Sequence, residues 1–414
     1  MSNSKSHVSQ PTNEPVRAYG PGSMEREALR AKLKELRSTK IEIPLIIGGR
    51  EIRTGALEKC IIPHNHQHTL ATYHKAGEKE MEMAIEASQE AWRGWSTMPW
   101  ESRVSLFRRM ATLLSGPYRD LLNASAMLNM SKNVFQAEVD SACELIDFFN
   151  FNTWYAQEIY EQQPLYSPGG TWNRTEHRPL EGFVFAVTPF NFASIAGNLP
   201  SSPALMGNTV VWKPSSNAVY PAYRIMQLFM EAGLPDGVIN FAPGPGSLVG
   251  DIPTKHRKLA GIHFTGSTAT FQRMWRTVGE NIDNYDGYPR IVGETGGKNF
   301  CLVHESADID AVVTAMIRGA FEYQGQKCSA ISRAYIPTSK WEQFKDRYVT
   351  EVASIKIGDV EDFTNLMNAV IGEKEFQNIT SYIAWAKASD DAELITGGGY
   401  DDSVGFFIEP TTIV

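Results

Sequence analysis

Cysteine is scarce in this 414-residue sequence: there are four, at positions 60, 143, 301 and 328. So few, so widely spaced, do not form a disulfide framework, so the chain reads as one kept in a reducing environment. Each cysteine is then either packing or chemistry. Long apolar runs are missing too. None approaches the ~20 residues that a membrane helix needs, which argues against a membrane partner. Positive charge is in deficit, with 39 Lys and Arg against 47 Asp and Glu and a net charge of −8. Nucleic-acid binding needs a basic footprint, so nucleic acid is not expected as a partner. Residues 1–13 hold no Asp, Glu or Arg. Freedom from acids is a trait of transit peptides, but the missing arginines argue against one, and a disordered tail is the reading preferred. Internal repeats and low-complexity segments are absent.

What is present is globular. Apolar residues make up 42% and charged residues 21%, which fits sizeable cores, and the length fits two or three domains. Residues 24–38 combine strong helix formers with Leu29, Leu33 and Leu36 at helical spacing. Further helices are expected near 79–96, 102–114 and 130–151, the last burying Ala137, Cys143 and Ile146. From Gly182 the pattern changes. Apolar β-rich runs at 182–188, 209–213, 238–242, 259–264 and 290–293 alternate with helical stretches at 195–206, 219–232, 246–254 and 267–280. That alternation predicts a doubly wound α/β fold with a parallel sheet, whose ligands bind at the carboxyl ends of the strands. A second α/β series follows: strand 299–303, helix 308–323, strand 332–337, helix 340–355. The expected division is a tail over 1–23, a helix-rich region with a dinucleotide-binding domain over 24–293, and a catalytic domain over 294–414.

Several residues invite a chemical reading. In EYQGQKCSA a glycine-containing turn follows an apolar helix and delivers Cys328 beside Lys327 and Ser329. A nucleophilic cysteine needs partial exposure and an electropositive setting, although a lone cysteine is more often a packed apolar residue. Glu294, in VGETGGKN, ends an apolar run. Poor hydration there would raise its pKa toward that of a general base; the plainer reading is a turn acid. Asn191, in TPFNFAS, ends the first strand of the α/β half, where an amide can donate to an oxyanion or close an Asx turn. No GxGxxG follows that strand. Instead FTGST at 264–268 opens a helix, so Gly266 allows close backbone approach and Ser267 with the helix N-terminus can hold phosphate. Lys213, before Pro214, can reach ribose hydroxyls. His64, His66 and His68 alternate, but no cysteine or acid nearby in sequence completes a ligand set, so no metal is expected.

Taken together, TPFN, WKPS, FTGS, GETGGKN and GQKCSA, in that order, resemble the aldehyde dehydrogenase superfamily. NEPV at 13–16, SGPYR at 115–119, ELIDFFNFN at 144–152, PALMGN at 203–208 and EYQGQKCSA at 322–330 resemble its Δ1-pyrroline-5-carboxylate dehydrogenase branch, which oxidises glutamate γ-semialdehyde. The resemblance implies Cys328 as nucleophile, Asn191 as oxyanion donor and Glu294 as base for the deacylating water. It implies Lys213, Phe190, Gly266 and Ser267 as cofactor contacts, and Ser329 and Glu144 toward the substrate; a solvated helix face is the alternative for Glu144. NAD is the implied cofactor. Ser216 stands where many relatives carry an acid that repels a 2′-phosphate, so NADP is not excluded. The small-molecule aldehyde partner and a mitochondrial matrix location follow by resemblance, with a cytoplasmic one as the alternative. The resemblance further implies that a nicotinamide-ribose motif, the remaining catalytic core and an oligomerisation hairpin follow the segment at 405–414. The chain as given is therefore expected to be incomplete in its catalytic domain, its homo-oligomer doubtful, and turnover absent although dinucleotide still binds. A dehydrogenase of another semialdehyde and an inactive dinucleotide-binding fragment are the rival readings.

Overall fold

The computed structural model describes residues 7–414. Its centre is a seven-stranded sheet. In spatial order the strands are Arg290–Glu294, Leu259–Thr265, Phe183–Val187, Thr209–Lys213, Ile239–Phe241, Leu45–Ile47 and Arg50–Ile52. The first five are mutually parallel. Alternate residues of these strands enter different cores. Val184, Ala186, Val210 and Trp212 pack on one face with the helices of the N-terminal half. Phe183, Phe185, Val187 and Val211 pack on the other. Both faces are covered, which is why FVFAV and TVVWK read as unbroken apolar runs rather than as alternation.

In chain order, the two strands after Phe183–Val187 extend the sheet to one side, and the next two extend it to the other. This reversal is a topological switch point, and it opens a crevice beyond the carboxyl ends of the strands. The parallel strands and their crossover helices match the sequence expectation, except that the helix expected at 246–254 is two short pieces, Gly246–Val249 and Asp251–Lys255.

Three expectations need correction. Residues 7–23 are not a free tail: Val8 and Tyr19 are buried. Asn13 Nδ2 donates to Asp147 at 2.8 Å, and the Glu14 and Arg17 backbone amides donate to Asp147 and Glu138. Residues 1–6 lie outside the described residues. The helix expected over 130–151 is broken. A helix not foreseen, Arg119–Met130, stops where Ser131 turns left-handed (φ 57°). The Asn133 side chain then caps a new start at Val134, and a π-helical segment, Glu138–Cys143, leads into Glu144–Glu161. Finally, the parallel sheet ends in an antiparallel hairpin from residues 45–52. Gly48 and Gly49, both at positive φ, make the two-residue turn that hairpins favour.

After Glu294 come the parallel strands Asn299–Leu302 and Ile331–Tyr335, with the helices Ile309–Phe321 and Trp341–Ala353 around a separate core. No helix among the described residues is long and apolar enough to cross a membrane.

Candidate active site

A cavity of about 810 Å³ lies at the switch point. Its wall takes one piece from the end of each neighbouring strand: Thr188–Asn191, Lys213, Thr265–Ser267 and Thr295–Lys298, with Gln324–Cys328 closing it from the second α/β series.

The segment that carries Cys328 is strained. After Phe321 the backbone turns left-handed at Tyr323 (φ 50°, ψ 44°) and Gln324 (φ 55°, ψ 27°), then at Gly325 (φ 70°). That conformation costs about 1–2 kcal/mol at each non-glycine residue. Hydrogen bonds hold it in place. Tyr323 Oη donates to the Met130 carbonyl at 2.8 Å, Gln324 Nε2 to the Ala369 carbonyl at 2.7 Å, and the Ile371 amide to Gln326 Oε1 at 3.0 Å. Cys328 emerges on a half-buried turn with a free thiol. Beneath it, Gly297 passes so close that a Cβ there would stand 2.5 Å from the Cys328 carbonyl oxygen. Asn299 Nδ2 donates to that same oxygen at 2.6 Å.

Asn191 meets this loop directly. Its Nδ2 donates to the Gln326 carbonyl at 3.0 Å, and its Oδ1 is buried with no partner among the described residues. An amide nitrogen carries two hydrogens, so a second donor remains on the cavity wall that Cys328 shares.

Across the cavity, Lys213 is buried, its Nζ donating to the Pro214 carbonyl at 3.2 Å. Burial pulls its pKa from 10.5 down to about 8. Gly266 lies under the Phe264 ring, where a Cβ would come within 2.7 Å. Ser267 caps the helix Thr268–Glu280, its Oγ accepting from the Thr270 amide. The helix N-terminus thus opens on the cavity, with Arg273 on the same wall.

The aldehyde dehydrogenase family matches residues 53–414. The chain belongs to the aldehyde dehydrogenase family. It is 49% identical over 412 residues to the mitochondrial delta-1-pyrroline-5-carboxylate dehydrogenase of Dictyostelium discoideum, covering 99% of this chain and 74% of that one. Against the Homo sapiens mitochondrial protein of the same name, identity is 46% over 402 residues, covering 97% and 71%. A crystal structure of the Delta-pyrroline-5-carboxylate dehydrogenase from Mycobacterium tuberculosis bound with NAD superposes with a TM-score of 0.98 at 47% identity, covering 100% of this chain and 77% of that one.

Within this member of the family, Cys328, Asn191, Phe190, Lys213, Gly266 and Ser267 share the one cavity. Four other expected residues stand elsewhere. Glu294 is exposed, not poorly hydrated, and the described wall begins one residue later at Thr295. Its strand is the sheet edge, and alternation puts Glu294 on the same face as the exposed Val292. Ser216 begins a 3₁₀ turn that carries it to a neighbouring cavity beside Tyr73, leaving Ser215 on the main wall. Ser329 is exposed on the turn, while Ser332 lines the cavity. Glu144 is not on a solvated face. It is half-buried and accepts from Ser194 Oγ, and burial raises its pKa despite that hydroxyl. The sequence reading missed Lys132 and Asp140, a buried ion pair at 2.6 Å. Their signal was faint: a lysine inside SKN, where a helix was expected to continue.

Proposed function

We propose that the chain oxidises glutamate γ-semialdehyde, the open form of Δ1-pyrroline-5-carboxylate, to glutamate with NAD, as a step of proline catabolism. The observation that carries this reading is the bond from Asn191 to the Gln326 carbonyl, two residues before Cys328, on the cavity that also holds Cys328, Lys213 and the Ser267-capped helix end. The names of the relatives supply the substrate and favour turnover over the expected inactive dinucleotide-binding fragment, and several of them supply a mitochondrial location.

The residues present fit the cofactor. Lys213 Nζ, buried and held only by the carbonyl of the next residue among the described residues, is a donor for ribose oxygens. The amides at the start of Thr268–Glu280 suit a pyrophosphate, and Gly266 lets it approach. Ser216 carries no charge, so nothing at that position repels a 2′-phosphate. Bound NAD supplies the acceptor for the hydride that leaves the substrate carbon.

The remaining steps belong to the chain. Cys328 Sγ, as thiolate, forms a bond to the aldehyde carbon and gives a thiohemiacetal. The free amide hydrogen of Asn191 and the Cys328 backbone N–H donate to the oxygen as its charge develops. Oxidation leaves a thioester on Sγ. Glu294, exposed at the strand end one residue before the wall at Thr295, takes a proton from water that enters beside it. That water then attacks the thioester, releasing glutamate and the thiolate.

Following NADH absorbance with several semialdehydes tests the assignment. Glutamate γ-semialdehyde is expected to exceed succinate semialdehyde in kcat/KM by at least about tenfold, a difference of about 1.4 kcal/mol in the barrier. Cys328→Ala should lose turnover while retaining NAD binding. Preference for succinate semialdehyde overturns the substrate; Cys328→Ala with more than about a hundredth of wild-type turnover overturns the nucleophile.

A further inference from the structure

Lys327, the residue before Cys328, is held by carboxylates on two elements. Its Nζ lies 2.9 Å from Asp140 Oδ2 and 3.2 Å from Glu322 Oε2. The same Asp140 oxygen lies 2.6 Å from Nζ of Lys132, a side chain with no exposure at all. Two ammonium groups thus share one carboxylate oxygen. They also share a ring: Phe192 lies 4.9 Å from the Lys132 nitrogen and 5.2 Å from that of Lys327. Lys132 further sits 4.0 Å from the ring of Tyr323, the first left-handed residue of the cysteine segment. Tyr323 in turn is anchored on the Met130 carbonyl, two residues before Lys132. Asp140 reaches the cluster from the π-helical segment Glu138–Cys143, a local widening that recurs at functional sites. Glu144, one residue past that segment, faces both lysines from the same helical run.

We infer that Lys132 is a positioning residue for the cysteine segment, binding the Asp140 carboxylate and the Tyr323 ring at once so that Asp140 can hold Lys327 and the backbone that carries Cys328. The inference rests on the proposed role of Cys328 as nucleophile. Lys132 makes its contacts to the parts that shape the segment, and none of its contacts is to solvent. Its charge matters as well as its shape. Without it, Lys327 alone faces Asp140, Glu144 and Glu322; without Asp140, the two lysines face only Glu144 and Glu322. A thiolate is favoured by positive and disfavoured by negative surroundings, so the two deletions act on Cys328 in opposite directions.

The experiment uses Lys132→Met and Asp140→Asn, both close in shape to the residues they replace. Alkylation of Cys328 by iodoacetamide is followed by mass spectrometry at neutral pH, beside steady-state NADH formation. Lys132→Met should slow alkylation and Asp140→Asn should speed it, each by about threefold to tenfold. Both variants should lower kcat by about tenfold or more, with KM for NAD within about threefold, because the segment is loosened and the cofactor wall is untouched. A role in packing alone would shift both alkylation rates in the same direction or neither, and either result overturns the inference. Should Lys132→Met fail to fold, Asp140→Asn still decides: slower or unchanged alkylation overturns it. Full turnover after complete alkylation of wild-type Cys328 would instead remove the nucleophile assignment, a separate failure.

Discussion

Replacing Gly297 by alanine places a methyl carbon 2.5 Å from the Cys328 carbonyl oxygen and 3.2 to 3.3 Å from the amide of Asn299. Carbon and oxygen settle at about 3.3 Å or more, so the two backbones must separate by about 0.8 Å. Neither is free to do so without loss. Asn299 Nδ2 holds the Cys328 carbonyl at 2.6 Å and the Ala330 carbonyl at 3.2 Å, and shifting the first by that amount forfeits a bond worth about 0.5–1.5 kcal/mol. The loss of stability is therefore modest. The loss of rate is not. A displacement of about 1 Å at a reacting group costs on the order of 100-fold, or about 2.7 kcal/mol of barrier. Lys213 and the Ser267-capped helix end stand on other strands and keep their places. The expected outcome for Gly297→Ala is a kcat about 100-fold below wild type by NADH absorbance, with NAD affinity by calorimetry within about threefold. A kcat within about threefold of wild type would show that the cysteine segment absorbs the methyl group at no cost, and the close fit described above would lose its meaning.

Glu294→Gln is expected to keep a rapid burst of NADH and then turn over slowly, because the carboxylate serves the water and not the first attack; loss of the burst would place Glu294 in cysteine activation instead. Burial holds the Lys213 ammonium at about 8, below its ordinary 10.5, so between those values the unfolded chain binds the extra proton and stability rises with pH. NAD affinity should fall over the same window as the charge is lost. Lys213→Met should bind NAD more weakly with that pH dependence removed, and an unchanged profile in calorimetry would count against the ribose contact. Arg119 ties Glu14 to Glu138 in a buried pair. Arg119→Met leaves the buried Glu138 without its cation, held only by the Arg17 amide, Tyr19 and Asn123, and should cost about 3–5 kcal/mol in urea unfolding; a loss under about 1 kcal/mol would mean that solvent reaches the cluster.

The parallel sheet was legible because its strands are buried on both faces, so FVFAV and TVVWK leave an unbroken apolar trace, and each is followed by a helix. The hairpin Leu45–Ile52 was not, because three-residue strands are too short for periodicity to register and its partner lies far along the chain. The nucleophile segment, oxyanion amide and phosphate turn were legible as short ordered motifs whose glycines carry a geometric meaning, as Gly266 and Gly297 show. Glu294 was misjudged for hydration because sequence shows that an acid ends an apolar strand but not that the strand is the edge of its sheet. The Lys132–Asp140 pair left only a faint trace because its members meet across a left-handed Ser131 and a π-helical segment, two departures from the 3.6-residue repeat that periodicity assumes.

The hairpin at residues 45–52 also sets an order of events during synthesis. Its strand Leu45–Ile47, buried throughout, pairs with Ile239–Phe241, and the Gly48 amide donates to Asn240 Oδ1 across 192 residues of sequence. At translation rates of about 5–20 residues per second, that partner emerges roughly 10–40 s later. For that time Leu45, Ile46 and Ile47 form an apolar strand with no sheet to join, and the crevice beyond the parallel strands can reach its final shape only when chain made first meets chain made much later. That wait ends before any residue of the nucleophile segment has been synthesised.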